Sequence, residues 1–121
     1  MLILFVDYHA AFRQAASYLM DREADLEVVA QAGSVTQSYE KMAVGGIDTA
    51  IVNVPLPDEG ASDMVRKLHE ANPSIPVLVL SIVEDEEVRK VFLEAGASEV
   101  LDKDISFAEI LAAVRRLGAK A

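Results

Sequence analysis

Four unbroken apolar runs of strand length constrain this chain more than any other feature: Leu2 to Val6, Val28 to Ala32, Ala50 to Val54 and Val77 to Ser81. They are rich in Val, Ile and Leu and mostly lack the alternation of a strand with one wet face. Strands covered on both faces read this way, and they belong to parallel sheets. A fifth candidate, Ser98 to Lys103, mixes Val100 and Leu101 with Glu99 and Asp102, which suits a sheet margin.

Between the runs the apolar spacing becomes helical. Phe12, Ala15, Ala16, Leu19 and Met20 form one stripe, Val88, Val91, Phe92 and Ala95 a second, and Phe107, Ile110, Leu111 and Val114 a third. Each is expected to cover a sheet face. Ser34 with Gln37, and Ser106 with Glu109, have the capping-box spacing that satisfies free amides at a helix start. Gly45-Gly46, Asn72-Pro73, Gly96 and Gly118 fall where those helices should stop.

Strand then helix, five times over in 121 residues, is too short for an eight-fold barrel. The expected fold is α/β, a flavodoxin-like, doubly wound five-stranded parallel sheet of order 2-1-3-4-5 with five helices, the two less apolar strands at its margins. One domain covers residues 1–118, and 119–121 form a tail or the start of a linker. The apolar start ends at Asp7, far short of a membrane span, and lacks the basic residues that open a signal peptide. Without cysteine there is neither a disulfide nor a thiolate metal site, and the cytoplasm is the expected compartment. Twenty acidic against eleven basic residues give a charge of −9, a field that repels phosphate backbones and anionic lipid. Neither nucleic acid nor membrane is an expected partner of this domain.

In such sheets ligands lie beyond the carboxyl ends of the strands, where the winding reverses between the first and third. The residues expected there are Asp7, Tyr8 and His9, then Asn53, Ser81 and Lys103. No glycine follows the first strand, so neither a dinucleotide fingerprint nor a phosphate-cradling loop is present.

These residues carry a resemblance. Val6-Asp7-Tyr8-His9 is similar to the V-D-D-H that ends strand one in many response-regulator receiver domains of two-component signalling. Asp48 to Pro57 resembles that family's D-x-x-x-x-D-x-x-M-P, Ser81 its fourth-strand Ser/Thr, and Gly96 to Asp104 its G-A-x-x-Y-L-x-K. The likeness covers essentially the whole chain and is greatest to receivers that precede a LuxR-type helix-turn-helix. It implies that the phosphoacceptor aspartate falls at Asn53, the second acid of the metal pair at Tyr8 and the aromatic switch at Val100. Ala61 replaces an expected glycine.

An active receiver gathers three carboxylates to hold Mg²⁺ and to attack a phosphoryl group. Here the resemblance leaves only Asp7, and the amide of Asn53 is no anionic nucleophile. The expectation is a degenerate phosphoacceptor pocket of Asp7, Tyr8, Asn53, Ser81 and Lys103, with no catalytic residue, metal or cofactor. Lys103 is expected to pair with Asp7 or to hydrogen-bond the Asn53 amide oxygen.

Blander roles stand beside these. Asp7 serves as a turn residue, Ser81 caps the next turn, and Lys103 points to solvent. Tyr8 either packs its ring over the neighbouring loop or sets its hydroxyl in the metal position. His9 and His69 read as surface residues, and Glu84-Asp85-Glu86-Glu87 as a solvated first turn favoured by the helix dipole.

The expected function is that of a pseudo-receiver: phosphorylation-independent protein contact or homodimerisation that regulates an output module. A DNA-binding output domain beyond this chain is one candidate. A small-molecule sensor using the altered pocket is the alternative, and a Mg²⁺-dependent phosphohydrolase ranks last, since His9 stands where its second acid belongs.

Overall fold

The structure, a computed structural model, describes residues 1–54, 60–82 and 86–119. In chain order the elements are β1 (Leu2–Val6), α1 (Ala10–Asp21), β2 (Glu27–Ala32), α2 (Val35–Val44) and β3 (Thr49–Asn53). There follow α3 (Ala61–Ala71), β4 (Val77–Ser81), α4 (Glu86–Ala95), β5 (Glu99–Asp102) and α5 (Phe107–Ala119). The five strands form one parallel sheet of order β2-β1-β3-β4-β5, the topology expected from the apolar runs.

Side chains alternate across this sheet and build a core on each face. Leu4, Val6, Val52 and Val79 meet Val35 of α2, Met64, Val65 and Leu68 of α3, and Phe92 of α4. Ile3, Phe5, Ile51 and Leu78 meet Ala16 and Met20 of α1 and Leu111, Val114 and Leu117 of α5. Burying each large side chain contributes about 1.5–3 kcal/mol, so the central strands are anchored firmly on both sides. Their carboxyl ends are therefore fixed points.

Two expectations need correction. The α1 stripe is rotated: Ala16, Ser17 and Met20 are buried, while Phe12, Ala15 and Leu19 face outward. Small side chains at 16 and 17 let the helix approach the sheet closely, with Met20 filling the space beside them, while Phe12 and Leu19 stay outside. Gly118 does not stop α5, which runs on to Ala119. Its role is a close approach, since a methyl group there would lie 2.1 Å from the Met1 Cε.

The other helix limits hold. Ser34 caps α2 by accepting from the Gln37 amide at 3.2 Å, but the Gln37 Oε1 accepts from Gly33 N–H and not from the cap residue itself. Ser106 accepts from the Glu109 amide at 3.2 Å. Gly96 adopts φ +115° after α4 and packs on the His69 side chain of α3, a place where any Cβ would be both strained and crowded. Of the acidic run, Glu84 and Asp85 lie outside the described residues, as do Pro55, Leu56 and Pro57.

Candidate functional site

The register of β1 against β3 pairs Val6 with Val52, so the next residues, Asp7 and Asn53, leave the sheet side by side. Asp7 is 1% exposed, and its polar atoms are engaged. Its amide donates to the Ala32 carbonyl at 2.9 Å. One carboxylate oxygen accepts the His9 amide N–H at 2.9 Å, closing an Asx turn, with the His9 Nδ1 at 3.6 Å. The other accepts the Asn53 Nδ2 at 2.9 Å.

That last bond sets the orientation of the Asn53 amide, because only its nitrogen can face a carboxylate oxygen favourably. The Asn53 Oδ1 is turned to a buried position with no hydrogen-bond partner among the described residues. An anionic oxygen in place of that nitrogen would meet Asp7 in repulsion. Neutral donor and buried carboxylate make a stable pair instead.

Lys103 takes up neither expected contact. Its backbone N–H donates to the Ser81 carbonyl at 3.0 Å, fastening the exits of β4 and β5. Its half-buried side chain has neither an ion pair nor a hydrogen bond among the described residues. Both Asp7 oxygens already accept hydrogen bonds, from His9 and Asn53, and an ammonium with access to water gains little from ordering a long side chain.

Tyr8 is 55% exposed, and its ring meets that of the adjacent His9 edge-on with centroids 5.4 Å apart. Ser81 is buried at the end of β4, and its hydroxyl donates to the Ile82 carbonyl at 3.4 Å. Val100 is fully buried in the core beneath α4, opposite Val79 on β4. Arg89 of α4 donates to the Val100 carbonyl and lies 3.4 Å from Glu86.

Sequence reasoning missed Arg13. Its Nη1 donates to the Asp7 carbonyl at 2.7 Å, and the guanidinium lies across Gly33, where a Cβ would come within 2.8 Å. One signal was available: α1 contains a single cation, in its first turn.

As a metal centre the pocket is poor in donors. Of its five residues only Asp7 is a carboxylate, and both of its oxygens are engaged. Among the described residues no three His, Cys, Asp or Glu side chains gather as a metal-binding group. Away from the pocket, α5 is clamped by ion pairs. Arg115 bonds Asp25 at 2.8 Å and Glu23 at 2.8 Å, and this guanidinium holds the Asp25 carboxyl down at about 2. The Arg116 guanidinium is raised by its bonds to Glu99 of β5.

The sequence profile of the response regulator receiver domain matches residues 3–115. The chain belongs to that family. This receiver domain is 31% identical to the DNA-binding transcriptional activator DevR/DosR of Mycobacterium tuberculosis, over 97% of the chain and 54% of that protein. It is 30% identical to the oxygen regulatory protein NreC of Staphylococcus epidermidis, over 95% of the chain and 53% of that protein. The chain thus spans about half the length of the curated relatives it matches. In fold it superposes with a TM-score of 0.91 on a LuxR-family two-component response regulator from Aurantimonas. That match covers 98% of this chain and 85% of the other at 24% identity. Receivers of this kind serve two-component signalling and are related to transcription regulators. No helix among the described residues is long and apolar enough to cross a membrane.

Proposed function

We propose that this receiver domain has lost the phosphorylation switch and acts in the cytoplasm through phosphorylation-independent protein contact. The observation that carries the reading is the 2.9 Å hydrogen bond from the Asn53 amide to the buried Asp7 carboxylate. A receiver's acceptor must be an anionic oxygen, and the equivalent atom here is a neutral donor already bound to the remaining acid. The donor set does not fit Mg²⁺, which asks for several hard oxygen ligands in octahedral array. Val100, β-branched and packed in the core, lacks the aromatic ring whose rotation would report a modified pocket.

The contact surface is α1, and the partner a second copy of the domain. Tyr8, just before the helix, and Phe12, Tyr18 and Leu19 on it are 55, 52, 65 and 43% exposed, and the helix has no acidic residue in its first turn and no basic one in its last. The α4 side also exposes Val91 and Leu93 but sets them among ion pairs, Arg89 with Glu86, Lys90 with Glu94 and Arg116 with Glu99. An uncharged apolar face is where two bodies of like net charge can approach. The pair would regulate an attached or separate output module, and any DNA contact would belong to that module.

The chemistry is tested by intact mass after incubation with acetyl phosphate and Mg²⁺. Wild type should gain no phosphoryl group, while the double reversion Tyr8→Asp with Asn53→Asp should gain one. Phosphorylation of the wild-type chain at the pocket refutes the reading.

A further inference from the structure

Three polar groups at the carboxyl ends of β3, β4 and β5 are not satisfied by the bonds described above. The Asn53 Oδ1 is buried and has no hydrogen-bond partner among the described residues. Ser81 is 5% exposed, and its hydroxyl reaches only the neighbouring Ile82 carbonyl at 3.4 Å, longer than the usual O–H···O bond of about 2.7–2.8 Å. The Lys103 ammonium has neither an ion pair nor a hydrogen bond among the described residues. The strand register sets the three in a row. Asn53 pairs with Leu80, one residue before Ser81, and Ser81 pairs with Asp102, one residue before Lys103. Neighbouring strands lie about 4.8 Å apart, and the flexible lysine stem can bend back across that spacing.

The two ends of the row want opposite things. At the β3 end stands an acceptor with a negative charge behind it, because the buried Asp7 carboxylate accepts only from two neutral N–H groups. The Arg13 guanidinium is aimed at the Asp7 backbone carbonyl instead of the carboxylate, and the His9 Nδ1 stands 3.6 Å off. At the β5 end stand a cation and a hydroxyl donor. A simple anion would suit Lys103 and Ser81 but offer nothing to Asn53 Oδ1, and a simple cation would do the reverse. One molecule carrying both charges a few ångströms apart answers both ends, and it satisfies the buried acceptor that is costly to leave unmade. Asp7 and Lys103 sum to zero charge, as such a molecule does.

We infer that this row of strand ends binds a small α-amino acid as its zwitterion. The ammonium donates to Asn53 Oδ1 within the field of Asp7, and the carboxylate accepts from Lys103 and from the Ser81 hydroxyl, which gives up its long bond to Ile82. Asn53 and Lys103 are both half-buried, so the row is wetted at its two ends while Ser81 between them is dry. The inference rests on the proposed loss of phosphoryl chemistry, which leaves these groups to a ligand held without a covalent bond.

The test titrates the whole chain with L-alanine and follows amide NMR shifts, with propionate and alaninamide as controls that lack the ammonium and the carboxylate respectively. Alanine should give saturable shifts at Asn53, Val54, Ser81, Ile82 and Lys103 and bind about tenfold more tightly than either control, through the charged hydrogen bond each control has lost. Lys103→Met should bind alanine and alaninamide alike. Ser81→Ala should weaken alanine and leave alaninamide unchanged, and it carries the test if Lys103→Met fails to fold. Absence of saturable shifts at millimolar alanine overturns the inference. So do equal binding of alanine and either control by wild type, shifts confined to other surfaces, or an unchanged preference in Lys103→Met. No phosphodonor is present, so the two readings fail separately: a chain that ignores alanine and gains no mass from acetyl phosphate loses only the ligand, whereas one that gains mass at the pocket loses the proposed function.

Discussion

The Asn53 amide that faces the Asp7 carboxylate has an energetic consequence that can be measured without any phosphodonor. Asn53→Asp alone would set two carboxylates about 5 Å apart at an effective dielectric of about 20, a repulsion of about 3 kcal/mol. Urea unfolding at pH 7 should show a loss of that order. Because a like charge raises the folded carboxyl pKa, the deficit should be absent below the unfolded value of about 4 and grow as pH rises through the folded one. Asp7→Ala should cost about 1–3 kcal/mol by leaving the His9 N–H and the Asn53 amide without their acceptor. The identities of these residues were legible in the sequence because strand ends can be counted from the apolar runs. Their bonds were not. Which group Lys103 meets depends on what already occupies the Asp7 oxygens, and that depends on an Asx turn and an amide orientation that no spacing encodes.

Among the elements, α1 is where periodicity misled. Phe12, Ala15, Ala16, Leu19 and Met20 form a stripe broad enough to be cut along two meridians, and the sheet accepts the one through Ala16, Ser17 and Met20. The apolar half left outside predicts that Phe12→Ser with Leu19→Ser should change stability by less than about 0.5 kcal/mol per site, as surface substitutions do. In sedimentation equilibrium the same variant should stay monomeric where wild type associates. Unchanged association would remove α1 as the interface. At the other end of the chain α5 is tied to the α1–β2 turn by Arg115, and the depressed Asp25 carboxyl gives that tie a pH signature. A folded pKa below the unfolded one means the contribution is present above about pH 4 and lost as pH falls toward about 2. The melting-temperature gap between wild type and Arg115→Met should therefore narrow across that interval. On so exposed a pair the gap itself should be small.

For the molecule as a whole, the sheet order was legible because unbroken apolar runs, short connections and right-handed crossovers leave few arrangements open. The charge balance was legible too, and it makes a prediction about assembly. Two domains of charge −9 that meet through an apolar helix repel until salt screens them, so raising ionic strength from about 0.05 to 0.5 M should tighten association. An interface built on ion pairs would loosen instead. The passage of Arg13 over Gly33 carries a last consequence. A single methyl group added after β2 would push the guanidinium tip aside at little expense, because a flexible side chain end yields easily. The oxygen it now covers would then become open to solvent. Mutating the rim of a neighbouring strand would thus loosen the acid's backbone while leaving every pocket residue in place, a remote adjustment readable as faster amide exchange at His9.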